Sequence, residues 1–322
     1  MIEAPTHTTP DHVAHYYDQN TPRFLRLGGS EEHAAIHRQI WAPGVQDSGQ
    51  AFLYLNELIA RAVSPTIGPS IPFSQSTNLP TSQLPNLPPP QSTTPHLLDL
   101  GCGVGGTATW LAQRLGAASN CVRVTGVTNS AVQLGMAVER AARLGLARQC
   151  HFILADFLEL PEIGPFRSAY AIESFIHARE AGRFFEQAWR WLAPGGRLVI
   201  CDDFLSEQAC PPHATSRSQA WVRHFERGWH LESLLPVATV KQLAEEAGFR
   251  PVQATDLTPY LRPFHPLKLG LMKLVTRLPL RSAYWDNLSG GTALQVCILQ
   301  GWTEYQALVW EKVTAQKPGF SV

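Results

Sequence analysis

An α/β fold with a doubly wound sheet is the architecture this 322-residue sequence predicts. Two observations carry that prediction. The stretch "HLLDLGCGVGGTATWL", residues 96–111, runs from an apolar strand through a glycine loop into a helix start. From there to the C-terminus, short apolar runs alternate with helix-period segments, as they do when a helix returns the chain between strands of one sheet.

The chain is long enough for one large domain with insertions, and 44% hydrophobic residues fill a substantial core. Lys plus Arg number 26 and Asp plus Glu number 26. That balance lacks the basic field nucleic acid requires, so no nucleic-acid partner is expected. The cysteines Cys102, Cys121, Cys150, Cys201, Cys210 and Cys297 are scattered, with no C-x-x-C pair and no Cys/His cluster at zinc spacing. They read as reduced and mostly buried, and no metal set is expected. The start "MIEAPTHTTPDH" lacks the features of a signal peptide, and no uncharged run approaches membrane-spanning length. The expectation is a soluble cytoplasmic chain.

Residues 1–65 read as a helical cover, through "HVAHYYDQNTPRFLRLGG", "EEHAAIHRQIW" and "GQAFLYLNELIARAV". Residues 66–95 are rich in Pro, Ser, Thr, Gln and Asn and read as a flexible insertion, because they cannot bury enough apolar surface to fold alone. The domain proper is expected over 96–322. Its strands fall near 96–100, 121–127, 150–155, 168–173, 197–202, 251–256 and 305–313. Its helices fall near 107–115, 130–144, 180–192 and 239–247, several ended by glycines such as Gly116, Gly145 and Gly248. Residues 206–236 and 259–304 break the alternation and read as cap insertions beyond the carboxyl edge of the sheet, where open α/β sheets bind ligands. Trp221, Phe225 and Trp229 lie at i, i+4, i+8 in the first, which suits either a cap-helix core or a wall against an apolar ligand.

A glycine loop at a helix start suits a nucleotide-like ligand, since it allows close backbone approach and presents free N–H groups. Gly101, Gly103 and Gly106 satisfy the dinucleotide spacing G-x-G-x-x-G. The acid that would then take the ribose is missing, because "VRVTGVTNS" ends in Thr128-Asn129-Ser130. Further on, "FILADFLELP" puts Asp156 and Phe157 after the third strand, and "WLAPGGRLVICDDF" gives a Pro-Gly-Gly turn before the fifth.

Taken together, these motifs over about residues 95–258 resemble the class I S-adenosylmethionine-dependent methyltransferases, with their D-x-G-x-G-x-G loop, acid after the third strand and P-G-G turn. The resemblance implies a Rossmann-like seven-stranded sheet with the last strand, "YQALVWEKV", antiparallel. It implies S-adenosyl-L-methionine as cofactor. Gly101, Gly103 and Gly105 would pass under its methionine part, with Asp99 fixing the loop. Asp156 would accept the adenine amino group, with Phe157 beside the ring. A strand-end cap is the alternative for Asp156. "GVTNSAVQ" resembles the T-x-S-x-x-Q variant of cyclopropane fatty acid synthases and of tocopherol and sterol methyltransferases, where Thr128, Asn129 and Gln133 would hold the ribose. Ordinary N-capping by Ser130 fits the same spacing. "HYYD" resembles the start of that group too, where such tyrosines close over the cofactor; Tyr16 is expected at the cofactor and Tyr17 at the substrate.

The chemistry is expected after the fourth strand, in "AYAIESFIHARE", with Glu173 and His177 as catalytic candidates. The segment "IESFIH" resembles E-S-x-x-H of the tocopherol and sterol group, and a glutamate there is the base in isoprenoid C-methyltransferases. A capping role for Glu173 and a structural role for His177 are the alternatives. With Trp221, Phe225, Trp229 and Trp285 as substrate contacts, the reading is methylation of a hydrophobic small molecule, at carbon of an isoprenoid or lipid-like substrate. An O- or N-methyltransferase of a natural product and a non-catalytic cofactor-binding protein are the alternatives. Residues 261–285 carry Arg262, Lys268, Lys273, Arg277 and Arg281 with no acid, among Leu, Met and Val. Peripheral membrane contact, an anionic substrate and a plain cap helix all fit this pattern.

Overall fold

The computed structural model describes residues 12–27, 34, 36–67, 94–116, 122–161, 163–278, 280 and 282–313. Most of the expected 66–95 insertion lies outside the described residues, as do Cys121 and Arg281.

The core is a seven-stranded sheet in the order β3-β2-β1-β4-β5-β7-β6. Its strands are β1 (His96–Leu100), β2 (Arg123–Thr128), β3 (Cys150–Leu154), β4 (Phe166–Ile172), β5 (Leu192–Leu205), β6 (Phe249–Asp256) and β7 (Thr303–Lys312). β1 pairs in parallel with β2 and β4, while β7 runs antiparallel between β5 and β6. The expected doubly wound sheet with an antiparallel last strand is therefore what forms. The order reverses between β1 and β4, and the site lies at the carboxyl ends there.

The period-2 alternation of the strands sorts side chains into two cores. Leu97, Val124, Tyr170, Val199 and Ala307 face α2 (Ser48–Ile67), α3 (Gly106–Gly116) and α4 (Ala131–Arg143). Leu98, Leu100, Ala169, Leu198 and Trp310 face α5 (Ala181–Trp191) and α7 (Val237–Glu246). Both faces of the sheet are covered, which explains why the strands read as continuous apolar runs.

Helix α2 is more than a cover. Leu55, Ile59 and Val63 are fully buried in the first core, and the Ala62 carbonyl accepts from Arg197 Nη1 at 2.7 Å. The expected helix over "EEHAAIHRQIW" does not form in the described residues 36–41. There the backbone donors serve distant partners: Arg38 N–H reaches Glu173, Ile40 N–H reaches the Ala51 carbonyl and Trp41 N–H reaches the Tyr260 carbonyl.

The cap combines α1 (His12–Leu27), α6 (Ser216–Trp229), α8 (Pro266–Val275) and α9 (Ala283–Leu299). Helices α6 and α9 cross at Gly228 and Gly290, where a Cβ on Gly228 would stand 2.5 Å from the Gly290 Cα. Only glycine allows that approach.

Candidate active site

The glycine loop is anchored by its own backbone, Gly101 and Cys102 N–H both donating to the Val127 carbonyl at 3.0 and 2.8 Å. Gly101, Gly103 and Gly105 all take positive φ. A Cβ on Gly101 would stand 2.4 Å from Cβ of Ser174, whose hydroxyl donates to the Leu100 carbonyl at 2.5 Å. Gly101 thus lets the loop close against Ser174, and that contact brings Glu173 beside the loop. Behind it, Asp99 is buried and accepts from the Tyr170 hydroxyl at 3.0 Å. Burial pushes the Asp99 carboxyl up to about 7, against the opposing effect of Tyr170.

The residues expected at the ribose are brought together, and they also hold the cover. Thr128 Oγ1 donates to Gln133 Oε1 at 2.8 Å, and Gln133 Nε2 donates to Thr21 Oγ1 of α1 at 3.1 Å. Ser130 caps α4 by accepting from Gln133 N–H at 3.1 Å, and its hydroxyl donates to Asp18 at 2.5 Å. Asn129 is half-buried beside them. At the next strand end, Asp156 Oδ1 caps a turn by accepting Leu158 N–H at 2.8 Å, and Oδ2 accepts from Arg179 at 2.6 Å. Phe157 meets Phe184 edge-on, with centroids 5.6 Å apart.

Glu173 sits in the left-handed region, with φ of 49°. Its Oε1 accepts three donors: Arg38 N–H at 2.9 Å, Arg38 Nε at 3.2 Å and the Tyr305 hydroxyl at 2.9 Å. The same guanidinium forks onto Asp203, through Nη1 to Oδ1 at 3.0 Å and Nη2 to Oδ2, and lies over the Tyr305 ring. Burial alone raises the Glu173 carboxyl, but Arg38 and His37 outweigh it and hold it below its ordinary value. Asp203, which is fully buried, is pushed up by burial even against the Arg38 fork. Asp202 beside it is pushed far up by burial, and accepts Ile176 N–H at 3.2 Å.

His177 faces the other way. Its Nδ1 meets the His230 carbonyl at 3.3 Å and therefore carries the proton, which leaves Nε2 to accept from the Tyr17 hydroxyl at 2.9 Å. Burial lowers its pKa to about 4, so the ring is neutral at pH 7. Tyr16 is buried and donates to Asn287 of α9 at 2.8 Å, tying α1 to the cap.

Of the aromatic residues expected at the substrate, Phe225 is fully buried in the core between α6 and α9. Trp221 and Trp229 are half-buried against that core, with Trp229 Nε1 donating to the Asn287 carbonyl at 3.1 Å. Trp285, on the first turn of α9, is also half-buried.

The residues fit a cationic, nucleoside-bearing cofactor. Asp99, Glu173, Asp202 and Asp203 place four carboxyl groups near the carboxyl edge of the sheet, and the Arg38 guanidinium reaches two of them. Among the described residues His37 Nε2 is a buried acceptor without a donor, its Nδ1 being directed to the Arg38 carbonyl. At Gly103 the nearest atom to an added Cβ among the described residues is Ile36 Cδ1 at 3.6 Å, an ordinary contact distance.

A family described as a methyltransferase domain matches residues 97–196, from β1 to the Pro-Gly-Gly turn. The O-methyltransferase rstn1 of Aspergillus nomiae is 31% identical over 164 residues, which cover 50% of this chain and 67% of that protein. The chain belongs to the class I S-adenosylmethionine-dependent methyltransferases. This methyltransferase is also 28% identical over 261 residues to the O-methyltransferase cnsE of Penicillium expansum, covering 80% of this chain and 79% of that protein. Against other curated relatives it spans about three fifths of their length. A solved geranyl diphosphate methyltransferase, in complex with GPP and sinefungin, shares the fold with a TM-score of 0.65 at 20% identity, over 96% of this chain and 100% of that one. S-adenosylmethionine is the methyltransferase's cofactor.

Sequence reasoning missed Arg38, His37, Tyr305 and Thr21. Arg38 lies in a stretch with helical spacing, and its carboxylate partners are 135 and 165 positions away. Asp203 is visible in "WLAPGGRLVICDDF" only as half of an acidic pair at the end of that stretch. Asp18 was visible as the last residue of "HYYD".

Proposed function

We propose that this methyltransferase acts on a hydrophobic small molecule, methylating carbon of an isoprenoid or lipid-like substrate, with Glu173 as the base. The observation that carries this reading is the setting of Glu173, whose Oε1 takes Arg38 and Tyr305 while Arg38 holds the carboxyl below its ordinary value although burial opposes it. When bound, S-adenosylmethionine supplies a methyl group already activated on a sulfonium. An alkene that took this methyl would form a new C–C bond from its π pair as the S–CH3 bond broke with its pair left on sulfur, and would be left a carbocation. The cation loses a proton from the neighbouring carbon, and the C–H pair restores the double bond. A carboxylate of low pKa is a weak base, poorly matched to an alcohol, but a C–H beside a carbocation is acidic enough for it. Among the described residues Glu173 Oε2 accepts no hydrogen bond, and it is the oxygen assigned to that proton.

Around the acceptor, Tyr17, Trp221, Trp229 and Trp285 offer aromatic faces that attract a cation and exclude water. Thr128, Asn129 and Gln133 serve the ribose, Asp156 and Phe157 the adenine, and Tyr16 closes over the cofactor. The fold shared with a geranyl diphosphate methyltransferase supports an apolar substrate.

Methylation at oxygen is the second reading, favoured by the 2.9 Å contact between Tyr17 and His177 and by the names of two relatives. A substrate hydroxyl that replaced Tyr17 on Nε2 would meet an acceptor. The His177 pKa of about 4 makes that acceptor a poor base.

The deciding experiment is turnover of Glu173→Gln and His177→Asn with alkene and with phenol substrates. Loss of at least about 100-fold in kcat for Glu173→Gln on an alkene, with cofactor affinity within a few-fold, supports the carbon reading. Loss confined to His177→Asn on a phenol supports the oxygen reading and removes Glu173 as base.

A further inference from the structure

Helix α8 presents its apolar stripe to solvent. Leu267, Leu271 and Leu274, at i, i+4 and i+7, are 79%, 61% and 62% exposed, and Leu278 just beyond the helix is 55% exposed. At 100° per residue the three helical leucines share one face, and Leu278 follows in the turn after it. Leu269, which is buried, points the opposite way into the body. A surface helix of a water-soluble domain normally has the reverse arrangement.

Charge sits on both flanks of the stripe. Lys268 lies on one side, with Nζ 3.8 Å from the centre of the Phe264 ring, Lys273 lies on the other, with Nζ 5.5 Å from the centre of the Trp221 ring, and Arg277 follows in the turn. No acid occurs anywhere in residues 261–285, in a chain whose charges balance overall. A leucine ridge between two cationic flanks matches an anionic bilayer surface: the leucines enter the acyl boundary while the long basic side chains reach the headgroups. An acidic protein surface would answer the charge but leave four leucines without an apolar counterpart. No helix among the described residues is long and apolar enough to cross a membrane, so contact of this kind is made from one side.

We propose that α8 and the turn after it are a membrane-docking surface that seats the protein on anionic lipid.

The test is sedimentation of the full chain with vesicles of phosphatidylcholine alone and of equal parts phosphatidylcholine and phosphatidylglycerol. Binding to the mixed vesicles is expected to exceed binding to neutral ones by at least about tenfold at low ionic strength, and to fall as salt is added. The variant carrying Leu267→Ser, Leu271→Ser and Leu274→Ser should lose most of that binding, as should Lys268→Glu with Arg277→Glu. Both should keep wild-type affinity for S-adenosylhomocysteine, which shows that they fold. Absence of vesicle binding at low salt overturns the proposal. So does binding that survives the serine variant. A dimer in ultracentrifugation that the serine variant dissociates, with no vesicle binding by the wild type, would assign the leucine face to a second copy of the chain and equally overturn it.

Discussion

Arg38 donates to Glu173 twice, from its backbone N–H at 2.9 Å and its Nε at 3.2 Å, while its two terminal nitrogens fork onto Asp203. One residue of the N-terminal segment therefore fixes the candidate base and closes over it. Removing the charge outright would strand two buried carboxylates at a cost of about 3 to 5 kcal/mol, so Arg38→Met is expected to fold poorly. Arg38→Lys is more informative, since it keeps the charge and the backbone donor but loses the fork. The Glu173 pKa should then rise, and the acidic limb of the pH–kcat profile should move to higher pH, because the base is protonated earlier on acidification. Reduced activity with an unmoved acidic limb would reduce Arg38 to a structural tie.

The second link between cover and core is the bond from Gln133 Nε2 to Thr21 Oγ1. If the variant motif holds α1 over the cofactor through this contact, Thr21→Val and Gln133→Leu should each weaken S-adenosylhomocysteine binding several-fold. A double-mutant cycle should return a coupling of about 1 kcal/mol, the usual net value of such a bond. Additive losses in calorimetry would mean that Gln133 acts on the cofactor independently of α1.

The sheet was legible because strand burial and glycine placement are local signals. "HLLDL" is apolar on both faces, and Gly101 stands where Ser174 leaves no room for a side chain. The antiparallel β7 came through the family resemblance, and the order of the strands only through the structure. Segment 36–41 was not legible, because its conformation is set by Glu173, Ala51 and Tyr260, and helical spacing in "EEHAAIHRQIW" carries no information about them. Phe225 shows the same limit in the cap: its spacing with Trp221 and Trp229 marks a helix face, but only the packing of α9 decides that it is core.

His177 makes stability depend on pH. In the folded chain it takes a proton only near pH 4, whereas in the unfolded chain it does so near 6.5. The unfolded state thus binds more protons between those values, and stability is lost as pH falls through that window. The shift corresponds to about 3 kcal/mol at the most. His96, lowered by burial to about 4, acts in the same direction, so the measurement is a comparison. Urea unfolding across this window should show a shallower pH dependence for His177→Asn than for the wild type. Parallel curves would mean that His177 is not held neutral.

Asp99 titrates in the opposite sense. Burial raises it to about 7, so below that pH the free enzyme holds it largely protonated beneath the glycine loop. S-adenosylmethionine carries a sulfonium and an ammonium, and a nearby cation favours the ionised carboxylate. Binding below pH 7 should therefore release a proton from Asp99, and affinity should rise with pH until the carboxyl is already ionised, then level off. The limit is tenfold per pH unit, since one proton is exchanged. Calorimetry in two buffers of different ionisation enthalpy measures the proton directly. Asp99→Asn should remove that part of the release and flatten the pH dependence, with a larger loss of affinity above pH 7 than below it. The cofactor's own amine also titrates in this range, but it is common to both measurements and cancels in the difference. Equal proton release by wild type and variant would show that the Asp99 carboxyl does not respond to the cofactor's charge, and would leave it only its hydrogen bond to Tyr170 as a role in the loop.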